Sequence, residues 1–148
     1  MEDPVPIPSN IYPSLYYDDA PAAIEWLCRV FGFKKRMVVP AGDGSVIHSE
    51  LSYGPGVIMV GTSRPAQGCL SPRSLPAVAQ GLCVRVDDPD GHFANARAGG
   101  AEITRELKDE DYGSRGYQAK DLEGHHWYFG NYLPGAYWGD PPQGASAP

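Results

Sequence analysis

YYDDAPAAIEWLCRVFGFK, residues 16–34, decides the fold, because it spells out a passage from strand to helix to strand. Ile24, Leu27, Cys28 and Phe31 fall at the i, i+3, i+4, i+7 spacing of an amphipathic helix. Asp19 is placed to cap the first turn, and Pro21 suits that turn because the N–H it lacks would be unpaired there. Gly32 stops the helix. About 70 residues downstream, VDDPDGHFANARAGGAEI (residues 86–103) repeats the plan. Asp87-Asp88-Pro89 opens a second helix, Phe93, Ala96 and Ala98 are its expected apolar face, and Gly99-Gly100 ends it.

The flanking segments repeat as well. Strand candidates at residues 12–17 and 82–86 precede the two helices. Residues 34–39, 46–53 and 57–62 follow the first helix, and residues 102–107, 117–122 and 126–132 follow the second. The turn glycines Gly54 and Gly124 keep nearly the register of the Asp pairs. The expectation is an α+β protein of two βαβββ repeats, rolled as a partly open sheet around a cavity with helices outside. Its domain would cover residues 11–133: repeat one 11–62, linker 63–80 and repeat two 81–133. Residues 1–10 read as an N-terminal extension. Residues 134–148, rich in Gly and Pro, read as a flexible tail whose start Tyr137 and Trp138 are placed to pin. The linker, SRPAQGCLSPRSLPAVAQ, has no period, and loops of that length often serve as lids or binding elements.

Composition narrows the function classes. Hydrophobic residues at 42% and charged residues at 20% of 148 fit a globular chain. A net charge of -6 works against nucleic acid, whose phosphates need clustered Lys and Arg. The one dense basic run, Lys34-Lys35-Arg36, would split between two strand faces. No apolar stretch reaches the roughly 18 residues of a membrane span, and the acidic, Pro-rich start lacks the pattern of a secretory signal. Cys28, Cys69 and Cys83 are odd in number and have no CxxC spacing, which predicts a reducing, cytoplasmic setting. Cys28 and Cys83 lie in apolar segments and are expected to be buried, inert thiols.

Four segments carry a family resemblance. YYDDAPAAIEWLCRVFGFK is similar to the first strand, helix and "FGF" turn of the vicinal oxygen chelate superfamily. This superfamily holds glyoxalase I, the bleomycin-resistance proteins and the extradiol dioxygenases. HSELSYGPGVIMVG (residues 48–61) resembles the hairpin ending its first half, and residues 86–103 resemble its second helix. DLEGHHWYFGNY (residues 121–132) resembles its "DPxGHxWxF" ending, with Leu122 where proline is usual. The resemblance runs over residues 12–133. It implies two half-sheets around a ligand cavity, often with a divalent metal, and frequently a homodimer.

In glyoxalase I-like members the metal donors come from the first and last strands of each half. Those positions fall at about Tyr12, Met59, Gly81 and Tyr128. Glycine has no donor, a thioether is soft, and a neutral phenol is a poor ligand, so no metal cofactor is expected. The alternative is a shifted register in which His48, Glu50 and His126 hold the ion. Strand alternation places Tyr12, Ser14, Tyr16, His48, Glu50 and Met59 inward in the first half, with Ile47, Leu51 and Tyr53 toward the helix. In the second half it places Cys83, Arg85, Gln118, Lys120, His126 and Tyr128 inward. Glu50 faces Arg85 or Lys120 as a structural ion pair or, desolvated without a cation, serves as a general base.

Three functions follow. The first is a metal-free binding protein of the bleomycin-resistance type, holding an aromatic or cationic compound against its tyrosines. The second is a metal-dependent lyase, isomerase or dioxygenase of the glyoxalase I or extradiol type, and the missing donors count against it. The third is a metal-free enzyme using Glu50 or His48 as acid or base. The expected partners are a small molecule and a second copy of the chain, with neither nucleic acid nor membrane.

Overall fold

The computed structural model describes residues 9–136 and residue 138. It resolves into two compact units. The first runs to Val78 and includes Leu122–His125; the second comprises Ala79–Asp121 and the chain from His126 onward.

In the first unit, strand β1 (Ser14–Tyr17) leads into helix α1 (Ala20–Phe31), then β2 (Lys34–Pro40), β3 (Val46–Tyr53) and β4 (Gly56–Thr62). The sheet order is β1-β4-β3-β2, with β1 parallel to β4 and the other pairs antiparallel. The helix ends match their signals. The Asp19 carboxylate accepts from Ala22 N–H at 3.1 Å, and Gly32 closes the helix at φ 84°, a left-handed angle that costs a side-chain-bearing residue about 1–2 kcal/mol. Ala23, Ile24, Leu27, Val30 and Phe31 form the buried stripe of α1, and Leu15, Tyr17, Leu51, Ile58 and Val60 are buried on the strands.

The second unit repeats the order: β5 (Gly81–Arg85), α2 (Pro89–Ala98), β6 (Glu102–Asp109), β7 (Arg115–Lys120) and β8 (His126–Gly130). Its sheet runs β5-β8-β7-β6, again with the first strand parallel to the last. Both sheets are open, four-stranded and mixed, so the expected pair of βαβββ units is present. Trp127, Tyr117, Phe129 and Ala119 are buried on the face that α2 covers.

Several expectations need correcting. Tyr12 lies outside β1: Pro13 has no N–H for the ladder, and the Tyr12 hydroxyl turns back to the Ser9 carbonyl. Ile47 has the parity of Leu51 but is 56% exposed, because it falls at a bulge: Val39 pairs with His48 and Pro40 with Val46, which leaves Ile47 out of the ladder. Ala98 is exposed, since two residues past Ala96 it points nearly to the opposite side of the helix. Strand β7 spans Arg115–Lys120, which leaves Leu122 in the turn. Cys83 is exposed and Cys28 half-buried; all three cysteines are free. The linker is ordered, with short 3-10 turns at Pro65–Gln67 and Pro72–Ser74. Trp138 is 83% exposed and its N–H donates to the Gly135 carbonyl at 3.3 Å, whereas Tyr137, residues 139–148 and most of the N-terminal extension lie outside the described residues. Among the described residues no helix is long and apolar enough to cross a membrane.

The first unit is organised around one buried carboxylate, Glu123, whose side chain is 0% exposed. Its oxygens accept from Asp18 N–H at 2.7 Å, Asp19 N–H at 2.9 Å and the Ser71 hydroxyl at 2.5 Å. The Arg73 guanidinium lies 3.5 Å away. A buried anion with donors on both oxygens is stable, whereas a buried anion stripped of them is costly. Glu123→Gln would turn an amide donor toward backbone N–H groups. It should lower unfolding free energy by about 2–4 kcal/mol, read as a lower urea midpoint at unchanged m-value.

Candidate ligand-binding site

Each sheet has one face on its helix and one open face, and strand register determines which side chains stand on the latter. In the second unit Cys83 pairs with Tyr128, Tyr128 with Gln118, and Gln118 with Arg105. Their chain neighbours Trp127 and Ala119 are buried toward α2, so this row stands on the open side. A cavity of about 330 Å³ lies there, lined by Gly81, Cys83, Thr104, Gln118, His126 and Tyr128, among others. That volume is near the lower end for small-molecule sites.

Two glycines position the Tyr128 ring. Gly116 and Gly130 pair across β7 and β8. A β-carbon on either would strike Tyr128, and one on Gly130 would also come within 2.7 Å of the Arg115 carbonyl. The ring therefore lies over this glycine pair. Its hydroxyl donates to Glu110 at 3.4 Å, and Glu110, only 8% exposed, takes an ion pair from Arg105. The Arg105 guanidinium also lies 5.7 Å from the Tyr128 ring centre. Hydrogen bonding from Arg105 holds the Glu110 carboxyl below its ordinary range. Burial, followed by the hydrogen bond with Tyr112, pushes the Tyr128 phenol far above its ordinary value. Desolvation likewise raises the Cys83 thiol. At neutral pH both are protonated, so the row offers hydrogen-bond donors and an aromatic surface rather than a nucleophile.

The remaining sequence candidates divide by unit. On the first open face Ser14 pairs with Met59, Met59 with Glu50, and Glu50 with Met37. His48 Nε2 sits 2.8 Å from Glu50 Oε2. A carboxylate that orients an imidazole is the support a general base uses. Tyr16 shares this face, opposite Gly61. In the second unit Arg85 lies 2.7 Å from Asp87 and Lys120 3.8 Å from Glu102, both in solvent-exposed pairs of the weak kind. Arg105, Glu110 and Gly116 went unrecognised in the sequence. Plain alternation puts Arg105 with Ile103 on the helix side, but a bulge between them turns it over.

The residues at the four expected donor positions do not suit a divalent ion. Tyr12 is tied to Ser9, Gly81 has no side chain, Met59 offers a thioether, and the Tyr128 phenol holds its proton. Among the described residues no three His, Cys, Asp or Glu side chains converge as ligands.

The glycine pair yields a direct test. Gly116→Ala should displace Tyr128 and reshape the cavity. The expected loss is about 1–3 kcal/mol of stability together with shifted Tyr128 ring resonances, whereas Gly42→Ala, in the turn between β2 and β3 where an added β-carbon meets nothing, should leave those resonances in place.

Comparison with known proteins agrees with this architecture. Residues 11–129 match the model of the Glyoxalase/Bleomycin resistance protein/Dioxygenase superfamily. An uncharacterised protein of Mycobacterium bovis is 32% identical over 122 residues, covering 80% of each chain. A second, from Mycobacterium tuberculosis, is 32% identical over 122 residues, covering 80% of this chain and 71% of its own. Among solved structures, TioX from Micromonospora sp. ML1 superposes with a TM-score of 0.67 at 36% identity, covering 84% of this chain and 99% of that one. Lactoylglutathione lyase from Agrobacterium tumefaciens superposes with a TM-score of 0.61 at 21% identity, covering 84% and 94%, a likeness of fold alone. With the family model spanning most of a chain built as two βαβββ units, the protein belongs to the glyoxalase/bleomycin resistance protein/dioxygenase superfamily.

Proposed function

We propose that this chain is a metal-independent binding protein that holds a small, partly aromatic molecule against the open face of its second sheet. The observation that carries this reading is the cavity of about 330 Å³ at the Cys83, Tyr128 and Gln118 row. A ring held with its hydroxyl end against two glycines offers a ligand an aromatic surface, and the Gln118 amide beside it donates and accepts. The raised phenol and thiol favour recognition over chemistry, because neither is poised to exchange a proton near pH 7. The poor donor set at Tyr12, Met59, Gly81 and Tyr128 supports a reading without metal.

In a screen of planar aromatic compounds by titration calorimetry, a hit should bind equally well before and after treatment with chelator. Tyr128→Ala and Gln118→Ala should each weaken it about tenfold or more, in line with the ~1–3 kcal/mol of one stacking or hydrogen-bonding partner. A stoichiometric divalent metal in the purified protein, removed together with binding, would reject the metal-independent reading.

We also propose a homodimer. Edge strand β2 leaves Met37, Val38 and Val39 at 42%, 37% and 36% exposure, an apolar edge that soluble proteins usually cover. Light scattering at micromolar concentration should give twice the 16.0 kDa chain mass, and a monomer there would exclude it.

A further inference from the structure

We propose that Arg64, the second residue of the linker, makes the open face of the first unit selective for a small organic carboxylate. This inference rests on reading the open sheet faces as ligand-binding surfaces. Its guanidinium lies over the Tyr16 ring, 5.7 Å from the ring centre. Tyr16 stands on the open face, since Leu15 and Tyr17 on either side of it are buried toward α1. Opposite Tyr16 on β4 is Gly61, which places no side chain beside the ring. Next along the face come Met59 and Ser14, paired with each other, and then Glu50 with its His48 partner.

The position of Arg64 is fixed by its backbone. Its N–H donates to the Cys69 carbonyl at 2.7 Å, and its own carbonyl accepts from Cys69 N–H at 3.1 Å and Gln67 N–H at 2.9 Å. A closed two-way bridge of this kind holds the residue without help from its side chain. The neighbouring Ser63 hydroxyl is bonded to Asp18 at 2.6 Å, which engages the carboxylate next along the chain from Tyr17.

Arg85, Arg105, Arg115 and Lys120 are each paired with a carboxylate. Arg64 is exposed and forms no ion pair among the described residues. A guanidinium drawn to a ring face by charge can still turn N–H groups outward, and a pair of them matches a carboxylate with two parallel hydrogen bonds. The net charge of -6 does not cancel this attraction. At physiological salt, charges more than about 8 Å away are largely screened, whereas the guanidinium would be in contact.

The test is a nuclear magnetic resonance titration with 1-naphthoate and 1-naphthamide, which share a ring system and differ in charge. Naphthoate should bind at least tenfold more tightly and shift the Arg64 Nε and Tyr16 ring signals. Arg64→Gln should bring naphthoate down to the level of naphthamide while leaving naphthamide unchanged, and Arg64→Lys should recover only part of the difference. Equal affinity for the two probes, or tight naphthoate binding that moves Tyr128 and Gln118 but not Arg64, would overturn the carboxylate selectivity and leave the binding function standing. No shift on either open face with either probe would overturn both.

Discussion

The buried carboxylate of Glu123 is the constraint on which the first unit depends. It meets the backbone N–H groups of Asp18 and Asp19 where the chain turns from β1 into α1, and it takes the Ser71 hydroxyl from the linker. A charge in that position is tolerable only while its donors stay in place, so the turn, the helix start and the linker are held together. The same turn brings His125 to the Tyr16 carbonyl at 2.9 Å and its ring to 4.7 Å from that of Tyr17. Tyr16 is thereby fixed on the open face and Tyr17 in the core.

The second unit solves its own problem with absent side chains. Gly116 and Gly130, paired across β7 and β8, leave the space that the hydroxyl end of the Tyr128 ring occupies. The phenol then reaches Glu110, and Glu110 binds Arg105. The open face thus combines a rigid ring, a committed ion pair and a neutral amide. Preorganised groups of this kind lower the entropic cost of binding.

Much of this was legible in the sequence where local rules decide. Asp19 and Gly32 delimit α1 because capping is a contact between near neighbours. Strand β3 spans Val46–Tyr53 as read, and alternation correctly separated Gln118 and Tyr128 from Ala119 and Trp127. The failures have two causes. Ile47 and Arg105 lie at bulges, where pairing with the neighbouring strand breaks the alternation that the chain spacing alone implies, whereas Ala98 stands two residues past Ala96 and so on the other side of α2.

The sequence by itself determined the two βαβββ units and the family, because turn chemistry, hydrophobic period and the doubled motif are written in adjacent residues. Only the tertiary structure decided which polar groups are committed and which are available. Arg85, Lys120 and Arg105 lie beside carboxylates, Glu123 became a buried anchor, and Arg64 was left over the Tyr16 ring with no ion pair among the described residues. Ion pairs and stacking depend on distances between side chains, and those distances are set by strand pairing and packing rather than by spacing along the chain.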